Sequence, residues 1–333
     1  MKYNIALVGA TGNIGREILI ILNESKIPIK KIFVIASYKS VGKKITFRGK
    51  IIRVRAINDF DFHEIDLVFF ATNSHISKQY IPIVKSKVKL VIDLSSYYRM
   101  NHEVPLIVPE VNFSSINFTK TSYLIANPNC VAILLAVALN PLHKMLAISR
   151  IIISTYQSVS GAGRKAMDTL YLQTRSQLMN SFIKENQESN IAFNIIPNIN
   201  ELNDDGYTKE EHKVMEETKK ILSKDINITC TCVRVPVFIG HSISANVEFL
   251  QDISVDAAYR ILNESKGIKT DKYTEHKYFT PKDCVGKNEV LISRIRQDHA
   301  ANNILNLWIV ADNLKKGAAL NAIQVAEQYI KHL

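Results

Sequence analysis

Of the four cysteines in this 333-residue sequence, Cys130 is the one placed to react. It follows Asn127-Pro128-Asn129 and opens the apolar run "CVAILLAVALNPL". Asn129 is a good helix N-cap, and a thiol in the first turn of a helix faces unpaired N–H groups and the positive end of the dipole, which lowers its pKa toward a reactive thiolate. The bland alternative is a small buried hydrophobe at a helix start. A second group lies in "CVRVPVFIGHS", where Arg234 and His241 flank a strand-turn. Arginine can clamp a carboxylate through two parallel hydrogen bonds and histidine titrates near neutral pH, although a lone histidine serves structure as readily.

A nucleotide site is written into "LVGATGNIGREI", with Gly9, Gly12 and Gly15 directly after a strand and at the start of a helix, and Thr11, Asn13 and Ile14 between them. Tight turning, close approach of backbone to a diphosphate and helix N–H groups facing an anion all call for glycine there. The spacing is GxxGxxG rather than GxGxxG, so a plain strand-to-helix turn is the competing reading. The second strand, "IFVIASYKSVGKK", ends in Ser37, Lys39 and Ser40 with no acid for a ribose 2′-hydroxyl. A cation and hydroxyls suit a 2′-phosphate, which points to NADP; otherwise Lys39 is a solvated loop lysine. A reactive cysteine beside a nicotinamide suggests one chemistry above others. The thiolate adds to an aldehyde, the hemithioacetal loses hydride to NADP, and a thioester remains for a second nucleophile to open.

The elements that must hold these residues read as two domains. Through the first third, β-branched runs alternate with helix-like segments, from "NIALVG" to "LVIDLSS", which predicts βαβ units and a doubly wound, Rossmann-like parallel sheet over residues 1–129. The texture then changes. Helices near Arg164 to Leu178 and Lys209 to Leu222 flank an Asn-rich passage from about Ser181 to Asp205, and longer alternating strands follow, among them "NITCTCVRVPV" and "ILNLWIVAD". This predicts an α+β catalytic and dimerisation domain over 130–313 with one mixed or antiparallel sheet, and a last helix, 314–333, packing back on the first domain. Lys and Arg total 42 against 31 acids, a formal net charge of +11, but the charges are interspersed and no aromatic-interleaved basic motif appears. A solvated surface is expected, with no nucleic acid, no membrane span and no metal; few cysteines and no signal sequence fit a reducing cytoplasm.

Taken together, "GATGNIGRE", "SSYYRM" with "VPLIVPEVN", "IANPNC", "STYQSVSGAG", "GYTKEEHKVMEETKKIL", "CVRVPVFIGHS" and "LWIVADNLKKGAALNAIQVAE" make the chain resemble aspartate-semialdehyde dehydrogenase over nearly its whole length. The resemblance implies that Cys130 is the acyl-carrying nucleophile, His241 its acid-base partner, and Gln157 the residue that orients the substrate near the thiol. It also implies that Arg234 binds the substrate α-carboxylate and Glu210 the α-amino group, that Arg99 and Lys213 hold phosphate, and that Ser160, Gly161 and Asn313 touch the nicotinamide end of NADP. It further implies a homodimer, sometimes a tetramer. The implied reaction converts L-aspartyl 4-phosphate and NADPH to L-aspartate 4-semialdehyde, NADP and phosphate, feeding lysine or diaminopimelate, threonine, methionine and isoleucine synthesis. One departure is Leu94, in Asp93-Leu94-Ser95-Ser96, where the family usually has Asn; a polar contact near the cofactor and phosphate sites is expected to be absent. The stretch after "QTRSQLMNSF" is also shorter than in many relatives. The rivals are another acyl-phosphate reductase, of the N-acetylglutamyl-phosphate or glyceraldehyde-3-phosphate type, and a non-catalytic NADP- or nucleic-acid-binding module.

Overall fold

The computed structural model describes residues 1–118, 121–179, 190–271 and 278–332. Two compact units emerge, one of Met1–Asn129 with Ala318–Leu333 and one of Cys130–Gly317. The first contains β1 (Tyr3–Val8), α1 (Asn13–Glu24), β2 (Ile29–Ala36), the hairpin β3 (Lys44–Phe47) and β4 (Lys50–Arg53), β5 (Arg55–Ala56), β6 (Leu67–Phe70), α2 (Ser74–Lys85), β7 (Leu90–Asp93), α3 (Pro109–Asn112) and β8 (Tyr123–Ala126). The second contains α4 (Cys130–Met145), β9 (Ile148–Gln157), α5 (Arg164–Leu178), α6 (Lys209–Ile221), β10 (Asn227–Arg234), β11 (His241–Phe249), α7 (Val255–Asn263), β12 (Ile268–Thr270), α8 (Pro281–Cys284), β13 (Val290–Gln297) and β14 (Ile304–Ala311). The chain then returns to the first unit as α9 (Leu320–His332).

In the first unit the strand order is β5-β2-β1-β6-β7-β8, every pairing parallel. Strands covered on both faces need continuous apolar runs, and "LVFF" of β6 and "LVID" of β7 are buried throughout. Helix α1 buries Gly15, Ile18, Leu19 and Leu22, the i, i+3, i+4, i+7 stripe of a helix seated on a sheet. Helix α9 adds Leu320, Ala322, Ile323, Val325, Ala326 and Tyr329 to the same core. Each fully buried Ile or Leu stabilises by about 1.5–3 kcal/mol, so Leu22→Ala, which also leaves a cavity, should cost about 2–5 kcal/mol.

The second unit is built on a mixed sheet of order β10-β9-β11-β14-β13-β12, parallel at β10–β9 and β12–β13 and antiparallel between. Helix α4 is buried almost all round, from Val131 to Asn140, as befits a helix in the middle of a core. Strand β9 alternates: Ile151, Ile153, Thr155 and Gln157 point inward, while Ile152 and Tyr156 are exposed on the opposite face, where Tyr156 meets Trp308 at a ring separation of 5.5 Å. The strand read in "NITCTCVRVPV" stops at Arg234. Beyond it, Val237 N–H closes a turn on Val235 O, around a proline that has no N–H for the ladder. Among the described residues no helix is long and apolar enough to cross a membrane. The sequence stretch judged short, beyond Met179, falls largely outside the described residues.

Candidate active site

One edge of the second unit's sheet collects most of the candidates, and the strand directions explain why. Strands β9 and β10 run parallel and end in register, Gln157 beside Arg234. Strand β11 runs antiparallel to β9 and starts with His241, opposite Ala311 at the end of β14; Asn313 follows two residues on. Gln157 and His241 are buried, and Arg234 is half-buried with Nη1 donating to Ser158 O at 2.7 Å. Arg234 also exchanges two main-chain hydrogen bonds with Ile196, at 2.8 and 3.0 Å, which fix its backbone beyond the sheet ladder.

Two glycines set the approach of the reactive groups. A Cβ on Gly161 would lie 3.3 Å from Arg234 Nη1 and 3.4 Å from His241 Cε1 and Nε2, so only a bare Cα leaves room beside both. A Cβ on Gly317 would lie 3.0 Å from the Cβ of Cys130 and 3.6 Å from that of Asn313, which puts Cys130, the half-exposed first residue of α4, beside Asn313. Burial lowers the pKa of Arg234, while Coulombic interaction with Cys130 and Glu210 opposes the shift, leaving a guanidinium that is a cation at any working pH.

His241 is fully buried. Its Nδ1 lies 3.1 Å from both the N and the Oγ of Ser158, whereas Nε2 has no hydrogen-bond partner among the described residues. Burial, and secondarily the Arg234 charge, pull its pKa down to about 3, so the ring rests neutral. Asn313 Oδ1 accepts from Gly240 N at 3.0 Å and from the hydroxyls of Ser158 and Ser160 at 3.1 Å each. Asn313 and Ser160, expected at the nicotinamide, are therefore joined to the histidine through one hydrogen-bonded cluster.

Helix α6 carries Glu210 and Lys213 one turn apart, Nζ to Oε2 at 3.7 Å, and Asn200 Nδ2 donates to the same Oε2 at 3.2 Å. Thr208 starts this helix with a capping box, its hydroxyl accepting from Glu211 N at 3.2 Å while Glu211 Oε2 accepts from Thr208 N at 2.7 Å. The other oxygen of Glu211 accepts from Cys232 N at 2.8 Å, two residues before Arg234. A single buried carboxylate thus ties the helix bearing Glu210 to the strand bearing Arg234. Nothing in the sequence singles out Glu211, because "KEEHK" offers two acids and the direction of neither side chain. The neighbouring sulfurs of Cys230 and Cys232 are 3.5 Å apart, and among the described residues no cluster of three or more His, Cys, Asp or Glu is arranged to hold a metal ion.

In the first unit, Gly9 turns the chain out of β1 at φ +86°, and a Cβ there would sit 2.1 Å from Ala71 O at the end of β6. Gly12 caps α1 without a side-chain hydrogen bond and no acid occupies the first turn, which leaves the helix N–H groups to an anion. Thr11, Asn13, Ile14 and Gly15 complete the turn, at the C-terminal end of the parallel strands where doubly wound sheets bind nucleotides. At the end of β2, Ser40 is buried with Oγ 3.5 Å from Thr11 Oγ1 and 3.4 Å from Lys43 Nζ, and Lys39 is exposed nearby in sequence. Lys43 is a second cation at this corner, named only by the fold. These residues form the corner of a dinucleotide-binding turn.

Arg99 also belongs to the first unit; its Nη2 donates to Leu94 O at 3.0 Å. The side chain of Leu94 lies in the hydrophobic core, and its main-chain carbonyl is the acceptor for Arg99. Next to it the Asp93 carboxylate is buried and accepts from Ser77 Oγ, Ser95 N and Ser95 Oγ at 2.8–3.0 Å; burial raises its pKa against these bonds.

Known proteins match the chain over nearly its whole length. A family model described as semialdehyde dehydrogenase, NAD binding domain, matches residues 4–118, and one described as semialdehyde dehydrogenase, dimerisation domain, matches residues 139–316. An aspartate-semialdehyde dehydrogenase of Rickettsia bellii is 47% identical over 99% of this chain and 98% of its own length, and that of Aquifex aeolicus is 42% identical over 99% of both. The chain belongs to the aspartate-semialdehyde dehydrogenase family.

Solved aspartate-semialdehyde dehydrogenases carry the same architecture. The crystal structure of aspartate semialdehyde dehydrogenase II from Vibrio cholerae matches with a TM-score of 0.96 at 40% identity over 99% of each chain, and its complex with ASA matches equally well at 39% identity. The Candida albicans enzyme with NADP, at 22% identity and a TM-score of 0.77, shares the fold. Within the aspartate-semialdehyde dehydrogenase frame, Gln157, Arg234, His241, Ser160, Gly161, Asn313, Glu210, Lys213 and Cys130 all fall in the second unit, and the glycine turn, Lys39, Ser40 and Arg99 in the first.

Proposed function

We propose that this chain interconverts L-aspartyl 4-phosphate and L-aspartate 4-semialdehyde with NADP as cofactor and phosphate as co-substrate, through a thioester on Cys130. The observation that carries the reading is the sheet edge where Gln157, Arg234 and His241 converge, with Glu210 and Cys130 in electrostatic reach of Arg234. The Cys130 thiolate attacks the acyl carbon, the carbon–sulfur bond forms, and the bond from that carbon to the bridging oxygen breaks so that phosphate leaves with it. NADPH, when bound, supplies the hydride that reduces the thioester. His241 gives a proton to the resulting oxygen and takes it back as the carbon–sulfur bond breaks and aldehyde and thiolate separate. Arg234 grips the α-carboxylate in a fork, Glu210 the α-ammonium group, Gln157 orients the reacting carbonyl, and Arg99 and Lys213 bind phosphate.

NADP rather than NAD is supported by the missing acid after β2 and by Lys39, Ser40 and Lys43 in its place. The exposed face of the second sheet, with Ile152, Tyr156 and Trp308, suits an isologous homodimer, in keeping with the dimerisation-domain family model. A cytoplasmic setting agrees with four free cysteines. The deciding experiment is phosphate-dependent reduction of NADP by aspartate semialdehyde, alongside N-acetylglutamate semialdehyde and glyceraldehyde 3-phosphate. Turnover confined to aspartate semialdehyde is expected; turnover of either competitor in its place refutes the reading. Lys39→Ala should weaken NADP binding about tenfold and NAD binding little, since a charge-assisted phosphate contact is worth about 1.5–3 kcal/mol.

A further inference from the structure

We infer that Ser158 is a positioning residue that decides which ring nitrogen of His241 carries the proton: its main-chain N–H holds Nδ1 as an acceptor, and its hydroxyl, turned toward Asn313, accepts the hydrogen bond from Nδ1–H when Nδ1 is protonated. The inference rests on the reading that His241 moves protons at the acyl carbon. Both Ser158 N and Oγ lie 3.1 Å from Nδ1. A main-chain N–H can only donate, so in the resting ring Nδ1 offers its lone pair and the single proton sits on Nε2, beside Gly161. In that tautomer Nε2 can donate a hydrogen bond and cannot accept a proton.

To work as a base at Nε2 the ring must carry its proton on Nδ1, and to work as an acid it must carry both. Either state needs an oxygen to receive Nδ1–H. Ser158 Oγ lies within hydrogen-bond distance of Nδ1, at 3.1 Å, and is the side-chain oxygen placed there, while a main-chain hydrogen bond with Gly240 also favours the protonated ring. When it accepts there, its own O–H has Asn313 Oδ1 at 3.1 Å, an atom anchored by Gly240 N at 3.0 Å. The charge acting on the ring is the guanidinium of Arg234 from β10. Cys130 from α4 and Glu210 from α6 act on that guanidinium, and among the described residues no carboxylate hydrogen-bonds the imidazole as in an Asp–His pair. The serine hydroxyl takes the place such a carboxylate would fill, without adding a charge.

The test combines a spectrum with kinetics. In the full chain labelled with 15N-histidine and free of cofactor, His241 should show a protonated Nε2 and an unprotonated Nδ1 at neutral pH; a proton on Nδ1 overturns the proposal. In the aldehyde-oxidising direction, Ser158→Ala keeps the main-chain N–H and deletes the acceptor. Both states with Nδ1–H become rarer, so kcat should fall about tenfold and the acid limb of its pH profile should move about one unit lower, with KM for aspartate semialdehyde unchanged. Ser158→Thr should restore both. A lower plateau with an unmoved limb would mean that Ser158 only packs, and the proposal fails. Absence of turnover in the unaltered chain would sink the proposed function instead, and the spectrum would still report on Ser158.

Discussion

Replacing Glu211 by glutamine preserves the side chain's size and halves its accepting groups. The carboxylate takes Thr208 N–H on one oxygen at 2.7 Å and Cys232 N–H on the other at 2.8 Å. Glutamine has one accepting oxygen, so one of these buried donors must face an NH2 group. A hydrogen bond to a charged acceptor is worth about 1.5–3 kcal/mol and a buried N–H left without a partner costs about 1–3 kcal/mol more, so the second unit should lose roughly 3–5 kcal/mol. At about 2–4 °C per kcal/mol for a unit of this size, its melting temperature should fall by roughly 6–20 °C. Glu210 and Lys213 on α6 would then drift relative to Arg234 on β10, and KM for aspartate semialdehyde should rise more than kcat falls. Circular-dichroism melts and steady-state kinetics well below the new midpoint measure both effects. A variant that melts with the unaltered protein refutes the energetic argument, and one that melts early with KM unchanged refutes the positioning argument.

Iodoacetamide should modify Cys130 first and abolish turnover in step, because Cys230, Cys232 and Cys284 are buried and the Cys284 thiol is pushed up to about 12, chiefly by burial; peptide mapping that finds Cys284 labelled earlier would contradict this. Leu94→Asn should destabilise the first unit by about 2–4 kcal/mol without tightening NADP, since it buries an amide in the core where Leu94 packs; a denaturant midpoint at or above that of the parent would count against it. Stability should fall as pH drops from about 6.5 toward 3. Over that range the unfolded chain binds a proton on His241 that the folded ring, with its pKa near 3, refuses, a difference approaching 4–5 kcal/mol at the acid end. His241→Asn should flatten this slope, and identical pH dependence in both proteins would contradict the assignment.

The first unit was legible because strands buried on both faces leave unbroken apolar runs such as "LVFF" and "LVID", and because a strand-to-helix turn at an anion site needs glycine at Gly9, Gly12 and Gly15. The second sheet was legible as strands and not as an order. The neighbours β9 and β10 lie seventy-odd positions apart in the chain, with α5 and α6 between, and a long-range pairing leaves no periodicity behind. At the candidate site, residue types that advertise their chemistry stood out: Cys130, Arg234 and His241. Glu211 and Ser158 did not, because their work depends on which main-chain N–H lies beside them. Lys43 was hidden for a different reason: a charged loop of several lysines gives no sign of which one reaches Ser40. The residue type at Leu94 gives no sign that its backbone carbonyl accepts from Arg99 while the side chain fills the core.

The first unit is made of two stretches separated by all of Cys130–Gly317, and α9 supplies Leu320, Ile323, Val325 and Tyr329 to its core. On the ribosome this has a cost in time. At ~5–20 residues per second, the intervening segment takes roughly ten seconds or longer to make, and throughout that interval the sheet of β1, β6 and β7 must wait with the side destined for α9 uncovered. Nascent chains of this protein should therefore be chaperone clients until the final helix emerges, and a ribosome stalled anywhere within the second unit strands an aggregation-prone half-built nucleotide domain. Moving α9 to the front of β1 by circular permutation would let that domain close first.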